Sequence, residues 1–352
     1  MKSDPKLLLV PRAVSLKKKI QHITILYNVV KKLEYGEEAD LLADYDTVKT
    51  ATAIHRTLKE EGFKTLLFEL NENNLEDLFE LKTDLIFNLC YGIGSISRTE
   101  AQVVKILEKL DIPFTGAGSR SITTTTDKEA TKKKFIEYNI PTPAFQVFVT
   151  SSDRHDPRLH FPLIVKPKNQ DCSLGIHNNA VVENKYDLQD RVAFLLKSYK
   201  EPILVEEYIE GRELNVTLIG NNSKVLMLPI SEIVFGQSYI QENKWKIVDF
   251  EAKWIEESIN FTETLGVCPA KLDPEMEKKI EDLTILAYKA CECRDYARID
   301  LRLSSDNIPY FLEINLNPGI GPEDGTIRSA KAAGFSYTSF LKEIIKITAA
   351  RC

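Results

Sequence analysis

At 352 residues, 43% hydrophobic and 28% charged, the sequence has the make-up of a globular protein long enough for two or three domains. A net charge of −6 gives no basic excess to suggest nucleic acid as a partner, and no apolar run reaches the roughly 20 residues of a membrane helix. The apolar patch Leu7–Val10, set among Lys2, Asp4 and Lys6, is too short and mixed for a signal peptide, so a cytoplasmic protein with no membrane partner is expected. The cysteines, with only Cys291 and Cys293 close together, then read as reduced thiols.

In chain order, residues 22–30 read as a buried strand, followed by an acidic loop with Glu37, Glu38, Asp40 and Asp44. Helical periodicity runs from Thr47 to Glu61 and stops at Gly62; Lys64–Leu70 and Leu85–Asn88 are further strands, and 99–110 a further helix. This alternation implies a parallel sheet with helices on its faces, and loops Asn28–Gly36 and Tyr91–Ser97 as substrate loops beyond its strands. From Thr123 a run of threonines leads into Asp127-Lys128, a helix to Asn139 and a break at Pro141-Thr142-Pro143. The basic runs Lys17–Lys19 and Lys132–Lys134 are expected on solvated helix faces.

The strand Phe161–Pro167 carries Lys166 near its end, and the small-polar loop Asn169–Gly175 follows. Backbone N–H groups in such a loop can fold over phosphate oxygens that a strand lysine also reaches, although a lone strand-end lysine can equally snorkel to solvent. Strands are expected over 203–209 and 214–219, and 236–270 reads as a long functional loop or lid. A helix over 274–293 precedes two strands with alternating polarity, Arg298–Arg302 and Phe311–Asn315, joined by the turn Ser304–Asn307; closing helices fill 326–349. Period-two spacing puts Arg298, Asp300 and Arg302 on one face, and Glu313 with Asn315 on one face of the second strand. Paired antiparallel, Asp300, Glu313 and Asn315 can converge as hard oxygen ligands for Mg²⁺ on a nucleotide; the alternative is a half-exposed hairpin with ordinary surface charges.

The ordered series Pro-Phe-Thr-Gly, Asp-Lys, Ile-Val-Lys-Pro, Val-Glu-Glu-Tyr-Ile-x-Gly-x-Glu, Glu-Ala-Lys-Trp, Cys-Pro-Ala, Arg-Ile-Asp and Glu-Ile-Asn-x-x-Pro-Gly resembles the ATP-grasp superfamily, in its D-alanine–D-alanine ligase branch. The resemblance implies an α/β chain with an α+β ATP-grasp part: an N-terminal parallel-sheet domain over 1–120, a central subdomain over 121–204 and a C-terminal subdomain over 205–352, the last two clamping ATP. It implies Lys128 and Lys166 on the phosphates under the loop of Cys172 and Ser173. Glu206, Glu207 and Ile209 fall at the adenine linker, and Glu213 on the ribose. Asp300, Glu313 and Asn315 match ligands of two Mg²⁺ ions, for which Mn²⁺ can substitute. Arg298 and the backbone of Gly319 match the groups that stabilise an oxyanion, and Lys253 matches a catalytic lysine of the lid. The implied reaction joins small amino-acid or amine substrates through an acylphosphate, in a homodimer.

The sequence departs from that branch on the amino-acid side. The N-terminal Gly-Gly motif is missing, and Glu38, Asp44 or Asp46 stands in for its ammonium-binding glutamate. Tyr91 replaces a histidine and Trp254 a lid tyrosine, while Gly321-Pro322-Glu323-Asp324 replaces hydroxyl residues that meet the second substrate's carboxylate. Acidic side chains there would repel a carboxylate by several tenths to a few kcal/mol. The expectation is a carboxylate–amine ligase with a non-standard substrate; the alternatives are an authentic D-alanine–D-alanine ligase and a non-catalytic nucleotide-binding homologue.

Overall fold

The computed structural model describes residues 20–351; the patch Leu7–Val10, the run Lys17–Lys19 and Cys352 lie outside them. Strands β1 (His22–Asn28), β2 (Lys64–Leu70) and β3 (Leu85–Asn88) pair in parallel in the order β2-β1-β3. Ile23 to Leu26 are consecutively buried because both faces of β1 are covered. Helix α1 (Leu42–Glu60) packs with Ile23 and Ile25, and α2 (Glu100–Leu107) adds Val103, Val104 and Leu107 to the core that contains Leu26. Helix α1 starts earlier than its periodicity suggests, after a single turn over Glu38–Leu41 in which Glu37 and Asp40 cap each other's backbone. Those acids read as loop in sequence because they form a capping box.

The threonine run is helical, not a lead-in. It lies in α3 (Ser119–Thr126), where Thr123 and Thr124 donate to the carbonyls of Ser119 and Arg120. Helix α4 (Lys128–Glu137) follows, with the Asp127 carboxylate accepting from the Ala130 N–H. Its buried face is Lys128, Thr131, Lys132 and Phe135, so the expectation of a solvated basic run fails at Lys132 and holds for Lys133 and Lys134, which pair with Glu129 and Glu137 in solvent. The spacing of that face is helical, but its polar members hid it.

Strands β4 (Phe145–Phe148), β5 (Leu163–Pro167), β6 (Val181–Val182) and β7 (Ile203–Glu207) form an antiparallel sheet in the order β4-β7-β5-β6. Helix α5 (Lys185–Tyr199) covers it through Leu188, Val192 and Leu195. The last sheet contains β8 (Gly211–Ile219), β9 (Leu226–Met227), β10 (Ser231–Phe235), β11 (Thr264–Val267), β12 (Tyr296–Ser304) and β13 (Pro309–Asn315). Its order is β11-β10-β8-β12-β13, with β9 paired to β8. The segment expected as one long loop is instead three short helices, α6 (Gln237–Gln241), α7 (Phe250–Trp254) and α8 (Ile259–Thr262), followed by β11. Side chains of Asp249 and Ser258 cap α7 and α8, and helices this short show no periodicity in sequence. Helices α9 (Pro274–Ala290), α10 (Gly325–Ala332) and α11 (Tyr337–Ala349) complete the fold. No helix among the described residues is long and apolar enough to cross a membrane.

The β12–β13 hairpin forms as its alternation requires: Asp300 stands opposite Glu313 and Arg298 opposite Asn315. On its other side β12 pairs with β8, putting Asn215 beside Asp300 and Glu213 beside Arg302. Three adjacent strands thus deliver their polar residues to one place.

Candidate functional site

A cleft of about 1730 Å³ is lined from α1, β5, β7, β8, the lid segment, β12 and β13. Of the residues singled out in the sequence, the cleft is bordered by Tyr91, Lys128, Lys166, Cys172 and Ser173; by Glu206, Glu207, Ile209, Glu213, Lys253 and Trp254; and by Arg298, Asp300, Glu313, Asn315, Gly319 and Asp324.

At the hairpin, the Arg298 guanidinium forks onto both oxygens of Asp300, at 2.8 and 2.7 Å. Asn215 and Asn315 donate to the same carboxylate at 2.7 and 3.0 Å. Burial pushes the Glu313 carboxyl up, but the cations of Lys128, Lys166 and Arg298 overcome it and hold that carboxyl well below the ordinary range. Lys128 lies 3.7 Å from Glu313 and 3.1 Å from Asp171, and also donates to the Gln170 carbonyl. Among the described residues no cluster of three or more His, Cys, Asp and Glu could hold a metal on its own. The donor set does fit Mg²⁺: two carboxylates and an amide oxygen on paired strands, with remaining positions left to phosphate oxygens.

Several members of the nucleotide set are engaged in ion pairs. The Glu206 carboxylate lies 2.6 Å from Lys166 and 2.6 Å from Lys132, all three buried. Glu213 accepts from Arg302 at 3.0 Å, and burial lifts its carboxyl to about 7, with Arg302 pulling it down. Glu207 accepts from the backbone and ring of His160. In the loop after β5, Cys172 and Ser173 have left-handed backbone (φ 59° and 61°), and Gly175 (φ 68°) sits so near the Tyr199 ring that a Cβ would lie 2.7 Å from it. This loop is tied to the lid: Trp254 Nε1 donates to the Cys172 carbonyl at 2.8 Å and Ser173 Oγ to that of Val248 at 2.8 Å. His177 adds a further tie, 3.2 Å from Glu251 of the lid and 3.4 Å from Glu37.

At the other end of the cleft, Tyr91 Oη donates to the Asn317 carbonyl at 3.1 Å. Asp324 accepts from the Gly321 N–H at 2.6 Å and crowds Gly319, where a Cβ would lie 2.6 Å from its carboxylate. Of the acids proposed to replace the missing glutamate, Asp46 on α1 reaches the cleft; Glu38 is exposed and away from its lining, and the Asp44 side chain lies outside those described. Burial raises the carboxyls of both Asp46 and Asp324, and the charge of Asp46 pushes Asp324 further, while Lys253 draws both down.

Sequence reasoning missed Asn215, Lys132 and Arg328. Asn215 was findable, two residues beyond Glu213 on the same strand face. Arg328, which borders the cleft and donates to Ser231 Oγ at 3.0 Å, lies four residues after Asp324 on α10 and matches no motif.

Glu100 carries a pH signature. Burial raises its carboxyl to about 7 despite a 2.8 Å hydrogen bond from Asn317. The folded state therefore keeps this proton above the pH at which the unfolded chain loses it, and stability falls as pH rises from about 4.5 to 7. Glu100→Gln is expected to stabilise the protein by about 1–3 kcal/mol at pH 8 and to change little at pH 4.5, read from thermal unfolding at both pH values.

A parallel sheet beside two antiparallel sheets that border one cleft of lysines and carboxylates is the architecture of an ATP-grasp ligase, an enzyme class forming carbon–nitrogen bonds with ATP. Residues 135–346 match the family model described as D-ala D-ala ligase C-terminus. The chain belongs to the D-alanine–D-alanine ligase family. It is 30% identical to the D-alanine–D-alanine ligase of Bordetella petrii, over 87% of this chain and 88% of that protein. It is 33% identical to an uncharacterized protein of Sinorhizobium fredii, over 83% of each. The fold matches the ATP complex of D-alanine–D-alanine ligase from Bacillus anthracis with a TM-score of 0.72 and 24% identity, covering 95% of this chain and 98% of that one. It matches the VanG D-Ala:D-Ser ligase of Enterococcus faecalis with a TM-score of 0.69 and 18% identity, covering 94% and 100%.

Proposed function

We propose that this protein is a cytoplasmic, ATP-dependent carboxylate–amine ligase whose acceptor is an amine without a carboxylate at the position where D-alanine carries one. The observation that carries this reading is the pair of part-buried carboxylates, Asp46 and Asp324, bordering a cleft whose other end keeps the cations and hard oxygens of nucleotide chemistry. A carboxylate docking beside Asp324 would meet like charge in a shielded place; an ammonium or uncharged group would not.

In this reading, Lys128 and Lys166 take the phosphates, and the loop of Cys172 and Ser173 covers them, held by Trp254. Glu207, Ile209 and Glu213 receive the nucleoside. Asp300, Glu313 and Asn315 would hold two Mg²⁺ ions, which when bound would neutralise phosphate charge. The donor carboxylate attacks that phosphate, releasing ADP; the amine attacks the acyl carbon and phosphate leaves. Arg298, the Gly319 N–H and Lys253 stabilise the negative charge that develops on oxygen. The three sheets stand for three domains with boundaries near residue 120 and after β7 (Ile203–Glu207), a strand of the central sheet that the expected division at residue 204 would cut; the protein acts as a homodimer.

Asp324→Ser tests the acceptor half of the proposal. It is expected to move acceptor preference toward D-alanine by about tenfold in kcat/KM, relative to an amine lacking the carboxylate. Product analysis from mixed-acceptor reactions reads that ratio, and an unchanged ratio would remove Asp324 from selectivity.

A further inference from the structure

We propose that Lys132 is a positioning residue for nucleotide binding: it holds the Glu206 carboxylate so that the Lys166 ammonium stays available to a phosphate. Lys132 belongs to no nucleotide-contacting motif identified above and does not border the cleft; it acts through its neighbour. This inference rests on the nucleotide reading of the cleft.

The geometry is a chain of polar contacts running from the C-terminal sheet to the cleft wall. The Phe311 carbonyl on β13 accepts from Thr142 Oγ1 at 2.8 Å, and Thr142 Oγ1 accepts from Lys132 Nζ at 2.8 Å. Lys132 Nζ lies 2.6 Å from one oxygen of Glu206, and Lys166 Nζ 2.6 Å from the other. Lys132 has no exposed surface, while Lys166 borders the cleft. Burial brings the Lys132 ammonium down to about 8, against the pull of Glu206, so it is charged at neutral pH.

Charge counting gives the role. Glu206 with Lys166 alone would be a closed, neutral pair, and a phosphate would have to break it to gain the lysine. With two lysines on one carboxylate the cluster carries a net positive charge, and Lys166 can turn outward while Glu206 keeps a partner. Removing a partner from a buried carboxylate is otherwise strongly unfavourable. A lysine used only for packing would not need a second cation across the same carboxylate.

The test is ATP–Mg²⁺ affinity of the full chain by titration calorimetry, in K132M, in the double variant K132M/E206Q, and in T142V. K132M is expected to weaken ATP binding by about tenfold, and adding E206Q to restore it to within about threefold, because a neutral amide no longer captures Lys166. A purely structural lysine would give a loss that E206Q does not repair. Wild-type affinity in K132M, or a loss unrelieved by E206Q, overturns the proposal. If K132M does not fold, T142V decides: it frees the Lys132 ammonium from its anchor, and affinity about threefold weaker is expected, with unchanged affinity overturning the proposal. Failure of the wild-type chain to bind ATP at all would instead overturn the ligase reading on which this rests.

Discussion

Glu313→Ala lowers ADP formation by about 10³-fold or more at saturating ATP–Mg²⁺, an effect above about 4 kcal/mol in barrier height. Glu313 is the carboxylate on which the positive charge of the site converges: Lys128, Lys166 and Arg298 hold it ionised despite its burial. Removing it deletes one of two anionic oxygen donors at the hairpin and the negative charge on which Lys128, Lys166 and Arg298 converge. Added Mg²⁺ is not expected to restore the rate, because the variant lacks one of the two carboxylates that would hold the ion at the hairpin. A coupled assay for ADP, with a thermal unfolding curve to establish that the variant is folded, measures the effect.

Arg298→Ala is expected to lower kcat by about 10²–10³-fold while changing the KM for ATP much less. Arg298 is half-buried and forks onto both oxygens of Asp300, so its position is set before substrate arrives. Preorganised donors are effective because they need no rearrangement as charge develops. Arg298→Lys is expected to recover less than a tenth of the lost rate, since an ammonium cannot reproduce the two-point contact with Asp300. Initial rates over a matrix of ATP and acceptor concentrations separate the two parameters. A KM effect with kcat intact would move Arg298 from the reacting atoms to nucleotide binding.

The hairpin was legible in the sequence because its period-two alternation is strong and its turn residues are unambiguous; Asn307 adopts the left-handed backbone (φ 58°) that such a turn uses. The parallel sheet was legible for the same reason, its strands being short apolar runs separated by amphipathic helices. What periodicity could not reveal was the inward face of α4. Two lysines and a threonine share that face with Phe135, so hydropathy reads it as surface while the fold fills it with charges paired across the molecule. The helices of the lid also escaped, because they are only four or five residues long and are fixed by caps and by contacts such as Trp254 to Cys172 that connect distant parts of the chain. Asp324 was legible as a departure from a motif; its proximity to Asp46 required the fold.

In the proposed reaction ATP is consumed only when a carboxylic acid and a suitable amine are both present, and D-alanine is not that amine. The direct measurement is ADP release from ATP–Mg²⁺ by the full chain against single and paired L- and D-amino acids and small amines, with products identified by mass. Release is expected with a pair whose acceptor lacks a carboxylate at the amine-bearing carbon, and no D-alanyl-D-alanine is expected from D-alanine alone. Sustained ADP release on D-alanine alone, with D-alanyl-D-alanine as the product, would contradict it.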